Sequence, residues 1–376
     1  MAYLLLLSQE IARCQPTVFR TLWLVARPTT RQSPTLRMLS RLKASCLLPL
    51  ICSASSRLAS WHTRLAILAV MFFCLAGTAC ACSVIDLYSP VVAIAHKTAN
   101  WPPEQKVAEY RRSILERHAQ LYTPEVLGVD AGPALDGKLL TSLQQAQGHE
   151  GRLQTVAQVR AALRQVTAAF SKEFPDFRCD FPIYLVDSLG QLDGAGREVA
   201  GIKSLVLGID QIDSERNILS LPVFLSHELF HRYHHQASGF SDDAGEHQLI
   251  WKALWAEGLA TYVSYRTTPG ATVPAALILP VDLESTASAV LPRISADLLA
   301  NADRTDADVF RTYFTYGNPK VKERGLPWRS GYYVGFLVAQ RLAVGHSLQE
   351  LAHLQGKDLR DRIGRVLQDM AHSAAN

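Results

Sequence analysis

The 376-residue sequence predicts an α+β fold that is mainly helical, with a small mixed sheet beside two central helices and a helical C-terminal part. Three observations predict it. Two short apolar runs, 181–186 and 204–209, read as strands separated by a glycine-rich loop. Two longer apolar runs, Leu221–Phe230 and Leu249–Ala256, each continue into sequence of the same character and read as helices. Beyond Gly270 the pattern turns helical again, over about 281–300, 329–343 and 347–372.

In chain order, residues 1–81 read as a leader. Residues 11–85 hold no Asp or Glu but nine Lys or Arg. Within them Leu65–Ala76 is an unbroken apolar run of 12 between Arg64 and Gly77. It is short for a membrane span and fits a signal-peptide core, with Ala79-Cys80-Ala81 supplying small residues for cleavage. The residues upstream outrun a normal basic leader and read as an over-extended start, Met38 or a point near Arg57 being the true beginning. A mitochondrial-type leader is the competing reading, and the apolar core argues against it. The expected destination is export from a bacterial cytoplasm, periplasmic or secreted.

Residues 82–180 form an N-terminal helical part. Pro102-Pro103 opens a helix expected through Tyr122, with Val107, Tyr110, Ile114 and Leu115 on one side. A second helix, 151–173, carries Leu153, Val156, Val159, Leu163, Val166 and Phe170 at three-to-four spacing. Residues 181–270 hold the strands and the two central helices, and 271–376 the helical C-terminal part. The Leu205–Ile209 strand has two readings: an ordinary buried strand, which is favoured, or a sheet edge able to pair with an extended peptide.

The chemistry sits on the central helices. His227-Glu228-Leu229-Phe230-His231 places two imidazoles four residues apart, on one helical face and about 6 Å apart along the axis. That spacing lets them chelate one metal ion, with Glu228 one step around the helix, placed to act on a water rather than as a ligand. Leu221, Val223, Phe224, Leu225, Leu229 and Phe230 surround these groups, so the helix is expected to be buried. Desolvating two imidazoles and a carboxylate costs several kcal/mol unless they are paired or bound to metal. The third ligand is expected from Glu257, in an apolar helix where Gly258 leaves room for a close neighbour. His234 and His235 lie further along the first helix and read as solvated helix-end residues, and Glu246 and His247 follow a loop signature. Two His, one Glu and an open fourth position describe a hydrolytic zinc site, one Zn2+ per chain.

These residues resemble the gluzincin class of zinc metallopeptidases, which includes thermolysin and the aminopeptidase-N type. Ala256-Glu257-Gly258-Leu259-Ala260-Thr261-Tyr262-Val263 is similar to the block that supplies the third ligand in aminopeptidase-N-type enzymes. The 25 residues between His231 and Glu257 and the absence of a G-A-M-E-N block separate the chain from that branch. It resembles more closely uncharacterised bacterial proteins described as predicted zinc-dependent proteases, in which a G-Y-x-x-G block follows, here Gly331-Tyr332-Tyr333-Val334-Gly335. The resemblance spans about residues 180–350. It implies a gluzincin, thermolysin-like core with the small sheet beside two zinc-bearing helices, and a peptide or protein substrate. It makes Tyr332 a candidate for stabilising the negative charge of the transition state, with Arg329 beside it as a second. Plain core packing of Tyr332 and Tyr333 is the other reading.

Overall the chain has 38 basic and 34 acidic residues, but residues 1–81 hold nine basic and one acidic, so the remainder has 29 against 33, a net of −4. The basic balance belongs to the leader, which removes the argument for a nucleic-acid partner. Five of seven cysteines precede position 81, leaving Cys82 and Cys179, and no disulfide framework is implied. Cys80 or Cys82 is a candidate lipid anchor, which would make the protein a membrane-anchored lipoprotein. The expected activity is hydrolysis of peptide bonds. The alternatives are an exported, non-catalytic zinc-binding or chaperone-like protein and a zinc hydrolase of a non-peptide amide.

Overall fold

The computed structural model describes residues 82–148, 151–240 and 245–373. The leader, its apolar run and Cys80 lie outside these residues. The fold is mainly helical with one mixed sheet of four strands, as the sequence predicts.

The strands are β1 Ser83–Asp86, β2 Pro182–Val186, β3 Gly194–Val199 and β4 Ile202–Gly208, in the spatial order β1-β2-β4-β3. β1, β2 and β4 run parallel, whereas β3 returns antiparallel to β4. Val199 pairs with Ile202 across a two-residue turn. Ala200 and Gly201 both have positive φ there, 50° and 79°, as a turn matching the twist of its strands requires. β4 is an interior strand, with Leu205, Val206 and Leu207 fully buried between β2 and β3. The edge reading of this segment is therefore corrected. β4 also ends at Gly208, and Ile209 already starts a short helix, Ile209–Ser214.

Helices of eight residues or more are α1 Tyr88–Lys97, α2 Pro103–Tyr110, α3 Leu135–Gly148, α4 Gly151–Glu173, α5 Leu221–Ser238, α6 Ile250–Thr267, α7 Leu291–Asn301, α8 Ala307–Phe314, α9 Ser330–Leu342 and α10 Gly356–His372. α4 coincides with the expected 151–173. The helix expected through Tyr122 passes into a π turn at Arg111–Leu115 and ends there. The long C-terminal segments are broken: Leu283–Ser288 is separate from α7, which has a proline in its first turn, and Leu348–Ala352 is separate from α10, where Gly356 takes φ 71°.

β1 falls in the part expected to be helical. It is tied to the sheet twice, by pairing of Ser83 with Pro182 and by a Cys82–Cys179 disulfide with Cα atoms 5.1 Å apart. The sequence implied no disulfide framework because two thiols 97 positions apart carry no spacing signal; the parallel register of β1 and β2 brings them together. The Cys82 sulfur cannot also carry a thioether-linked lipid.

α5 lies between the sheet and α6, and α9 packs on the far side of α6. The α6–α9 contact is a backbone contact. A Cβ on Gly258 would lie 2.2 Å from the carbonyl carbon of Gly335, and a Cβ on Gly335 would lie 2.5 Å from the Leu254 carbonyl oxygen. The close neighbour that Gly258 leaves room for is the second glycine of the G-Y-x-x-G block.

Candidate metal centre

α5 starts with Pro222 in its first turn and stops at Gly239, whose left-handed backbone (φ 65°) donates its N–H to the His235 carbonyl. Between these ends nearly every residue from Val223 to Tyr233 is buried, so the helix is central rather than amphipathic. One side packs on an aromatic cluster of Phe170, Phe174, Phe177, Phe230 and Tyr233, and Tyr233 donates its hydroxyl to Asp176 at 2.9 Å. The cluster fixes the rotation of α5, and so the direction in which His227 and His231 point. α6 is fixed at its start, where the free N–H groups of Ile250 and Trp251 bond to the carbonyls of Arg304 and Ala302 at 3.0 and 2.9 Å.

His227 and His231 from α5 and Glu257 from α6 converge. The two Nε2 atoms are 3.1 Å apart, and Glu257 Oε2 lies 3.3 Å from that of His227 and 3.5 Å from that of His231. Donors held about 2.0–2.1 Å from one zinc ion at tetrahedral angles stand roughly 3.3–3.4 Å from one another. The three observed separations bracket that value. Glu257 Oε2 is buried and has no hydrogen-bond partner, so the oxygen facing both imidazoles lacks the satisfaction a buried carboxylate normally has. These three residues can bind a metal ion.

The protonation states agree. Burial pushes the His227 imidazole below its ordinary value, further than Glu257 pulls it up, so it offers a lone pair. Burial alone would raise the Glu257 carboxyl, but the two imidazoles beside it, His231 first, hold it well below the carboxylate range. A neutral imidazole and an ionised carboxylate are the forms that ligate.

Glu228 is buried beside β3, one of the two edge strands of the sheet. A Cβ on Gly194 would lie 3.1 Å from the Glu228 carboxyl carbon and 2.6 Å from the Phe224 ring, and a Cβ on Gly196 would lie 2.8 Å from Arg232 Nη1. The two glycines let the strand approach α5 this closely. Sequence reasoning took the segment for a loop, and its Gly-Ala-Gly spacing was the available signal. Tyr332, from the first turn of α9, stacks on His227 with ring centroids 6.2 Å apart and planes inclined by 22°. Burial, and next the Glu257 charge, raise its phenol well above the ordinary value, so it remains a donor. Arg329 stands over the same ring, its Cζ 4.0 Å from the centroid. Tyr332 therefore belongs to the site, whereas Tyr333 is buried in the core.

The other candidates separate cleanly. Glu246 pairs with Arg311 at the surface, and His247 is exposed. His234, expected to be solvated, is buried: it stacks on Phe240 at 4.6 Å, and burial lowers its pKa to about 3. An apolar side of α5 facing Phe230 and Phe240 explains the difference, since His234 enters that side as a neutral ring. His235 is half-buried at the helix end. No known protein family, curated protein or solved structure matches the chain, so the geometry of this site has to carry the functional reading.

Proposed function

We propose that this chain is a zinc-dependent peptidase with a gluzincin-type core, exported to an oxidising compartment. The observation that carries the reading is the convergence of His227, His231 and Glu257 at tetrahedral-edge distances with a buried Glu228 next to them. Zinc, when bound, supplies charge that polarises the scissile carbonyl and makes a water more acidic. Glu228 takes the proton from the attacking water and passes it to the leaving amine. The protonated Tyr332 donates to the oxygen on which negative charge develops. β3, an edge strand lying against Glu228, aligns an extended substrate chain along its free side. The Cys82–Cys179 disulfide supports export, because such bonds persist in oxidising compartments. Among the described residues no helix is long and apolar enough to cross a membrane. A purely structural zinc site usually has four protein ligands, whereas among the described residues the group here has three.

Glu228→Gln is the test. It preserves shape and zinc content and removes the base, so hydrolysis of a diverse peptide library should fall by about 100-fold or more. Equal turnover in the variant and the parent would contradict the mechanism, and a parent that holds zinc but cleaves nothing would return the non-catalytic reading.

A further inference from the structure

Arg329 opens α9 in the left-handed conformation, φ 57° and ψ 23°. For a residue with a Cβ this costs about 1 kcal/mol or more, and it persists only where the surroundings hold it. The result is a guanidinium over one side of Tyr332, the ring that also stacks on His227. One aromatic ring, Tyr332, thus contacts both a candidate metal ligand and a cation.

Arg304, Arg311, Arg324, Arg360 and Arg362 each pair with a carboxylate, whereas Arg293 and Arg341 make no ion pair among the described residues. Arg329 makes no ion pair among the described residues, although it is only half-buried and could reach solvent or a ligand. Its charge is felt at His227, Tyr332 and Glu215 without a salt bridge to any carboxylate. A guanidinium that makes no salt bridge yet stands against the ring stacked on His227 favours an anionic group on the substrate.

We infer that Arg329 anchors the C-terminal carboxylate of the substrate, so that the enzyme releases one or two residues from the end of a peptide. The inference rests on the peptidase reading. A free α-carboxylate always lies on the fragment that leaves as the amine. Extended chain covers roughly 3.5 Å per residue, so one or two residues bridge the gap of one ring between a metal ligand and the guanidinium. A guanidinium can hold a carboxylate through two parallel hydrogen bonds. Tyr332, stacked on His227, then serves the reacting oxygen, and Arg329, against the same ring, reads the substrate.

The test is calorimetry on the zinc-loaded full chain with two small probes, 2-benzylsuccinate and 3-phenylpropionate, which differ by one carboxylate. The dicarboxylate should bind at least about tenfold tighter to the parent. In Arg329→Gln the ratio should fall to near one with zinc content intact, and Arg329→Lys should restore part of it. Equal binding of the probes to the parent, or a preference retained in folded Arg329→Gln, would overturn the proposal. Zinc content is read separately: zinc present without a dicarboxylate preference fails this inference alone, and absence of zinc from the parent fails the peptidase reading with it. Hydrolysis of a peptide acid, its C-terminal amide, and that amide with Asp beside the scissile bond identifies the source of the carboxylate. The acid should be cleaved at least about tenfold faster than both amides, and an Asp-bearing amide cleaved equally well would overturn C-terminal recognition.

Discussion

Asp187 directly follows β2 and Asp210 lies in the first turn of the short helix after β4, both buried and without an ion pair among the described residues. Tyr110 and Ser142 donate to Asp187, while Ser188 and Gly190 donate to Asp210, so the acids hold the turn that leads into β3. Burial, and then the Asp210 charge, push the Asp187 carboxyl up to about 6. Because the folded value lies above the unfolded one, this group's contribution is fully favourable below the unfolded value and is lost as pH rises through about 6. Between about pH 5 and pH 7.5 the parent should therefore lose stability relative to Asp187→Asn, whose side chain does not titrate there. Melting curves of both proteins at the two pH values check this, and a difference that does not change with pH would contradict it. At this scale the metal ligands are legible in the sequence, because the spacing of His227 and His231 is itself the helix period. Glu257 is legible because it interrupts an apolar helix. Asp187 and Asp210 are not, since nothing local marks an acid whose partners arrive from distant helices, as for Asp187, or from the turn after another strand, as for Asp210, nor is the burial of His234.

Among the elements, α4 and the two central helices follow from periodicity, whereas β1 and β3 do not. β1 has four residues directly after the leader, and β3 begins Gly-Ala-Gly, a composition that elsewhere forms loops. What makes β3 a strand is tertiary: glycine alone lets it lie this close to Phe224 and Glu228. The same device joins α6 to α9. Gly335→Ala would put a methyl 2.5 Å from the Leu254 carbonyl oxygen, which is backbone and cannot swing aside. The helices must then separate, moving Glu257 on one and Tyr332 on the other. The variant should lose about 1–3 kcal/mol of stability and bind zinc at least about tenfold more weakly. Chemical denaturation and a zinc titration check both effects, and parental zinc affinity would show that the helix spacing does not set the site.

For the whole molecule, the sheet ties together segments almost 100 residues apart, and the disulfide reinforces that closure at its first strand. Cross-linking a loop of this length stabilises mainly by restricting the unfolded chain, typically by about 2–4 kcal/mol. Cys179→Ser should lower stability by that amount while leaving zinc stoichiometry unchanged, because the ligands lie on α5 and α6. Thermal unfolding with parallel metal analysis checks this, and loss of zinc would mean that the N-terminal strand supports the site. The mainly helical α+β class is legible from patterning, but this long-range pairing is set by strand register rather than by any local motif.

The central claim, one zinc held by two imidazoles and one carboxylate, is tested most directly by zinc-edge X-ray absorption of the purified chain. The account predicts stoichiometric zinc in a shell of nitrogen and oxygen only at about 2.0–2.2 Å, two of the scatterers being imidazoles, with the signal lost in His231→Ala. A sulfur ligand, or an unchanged spectrum at full occupancy in His231→Ala, would contradict it.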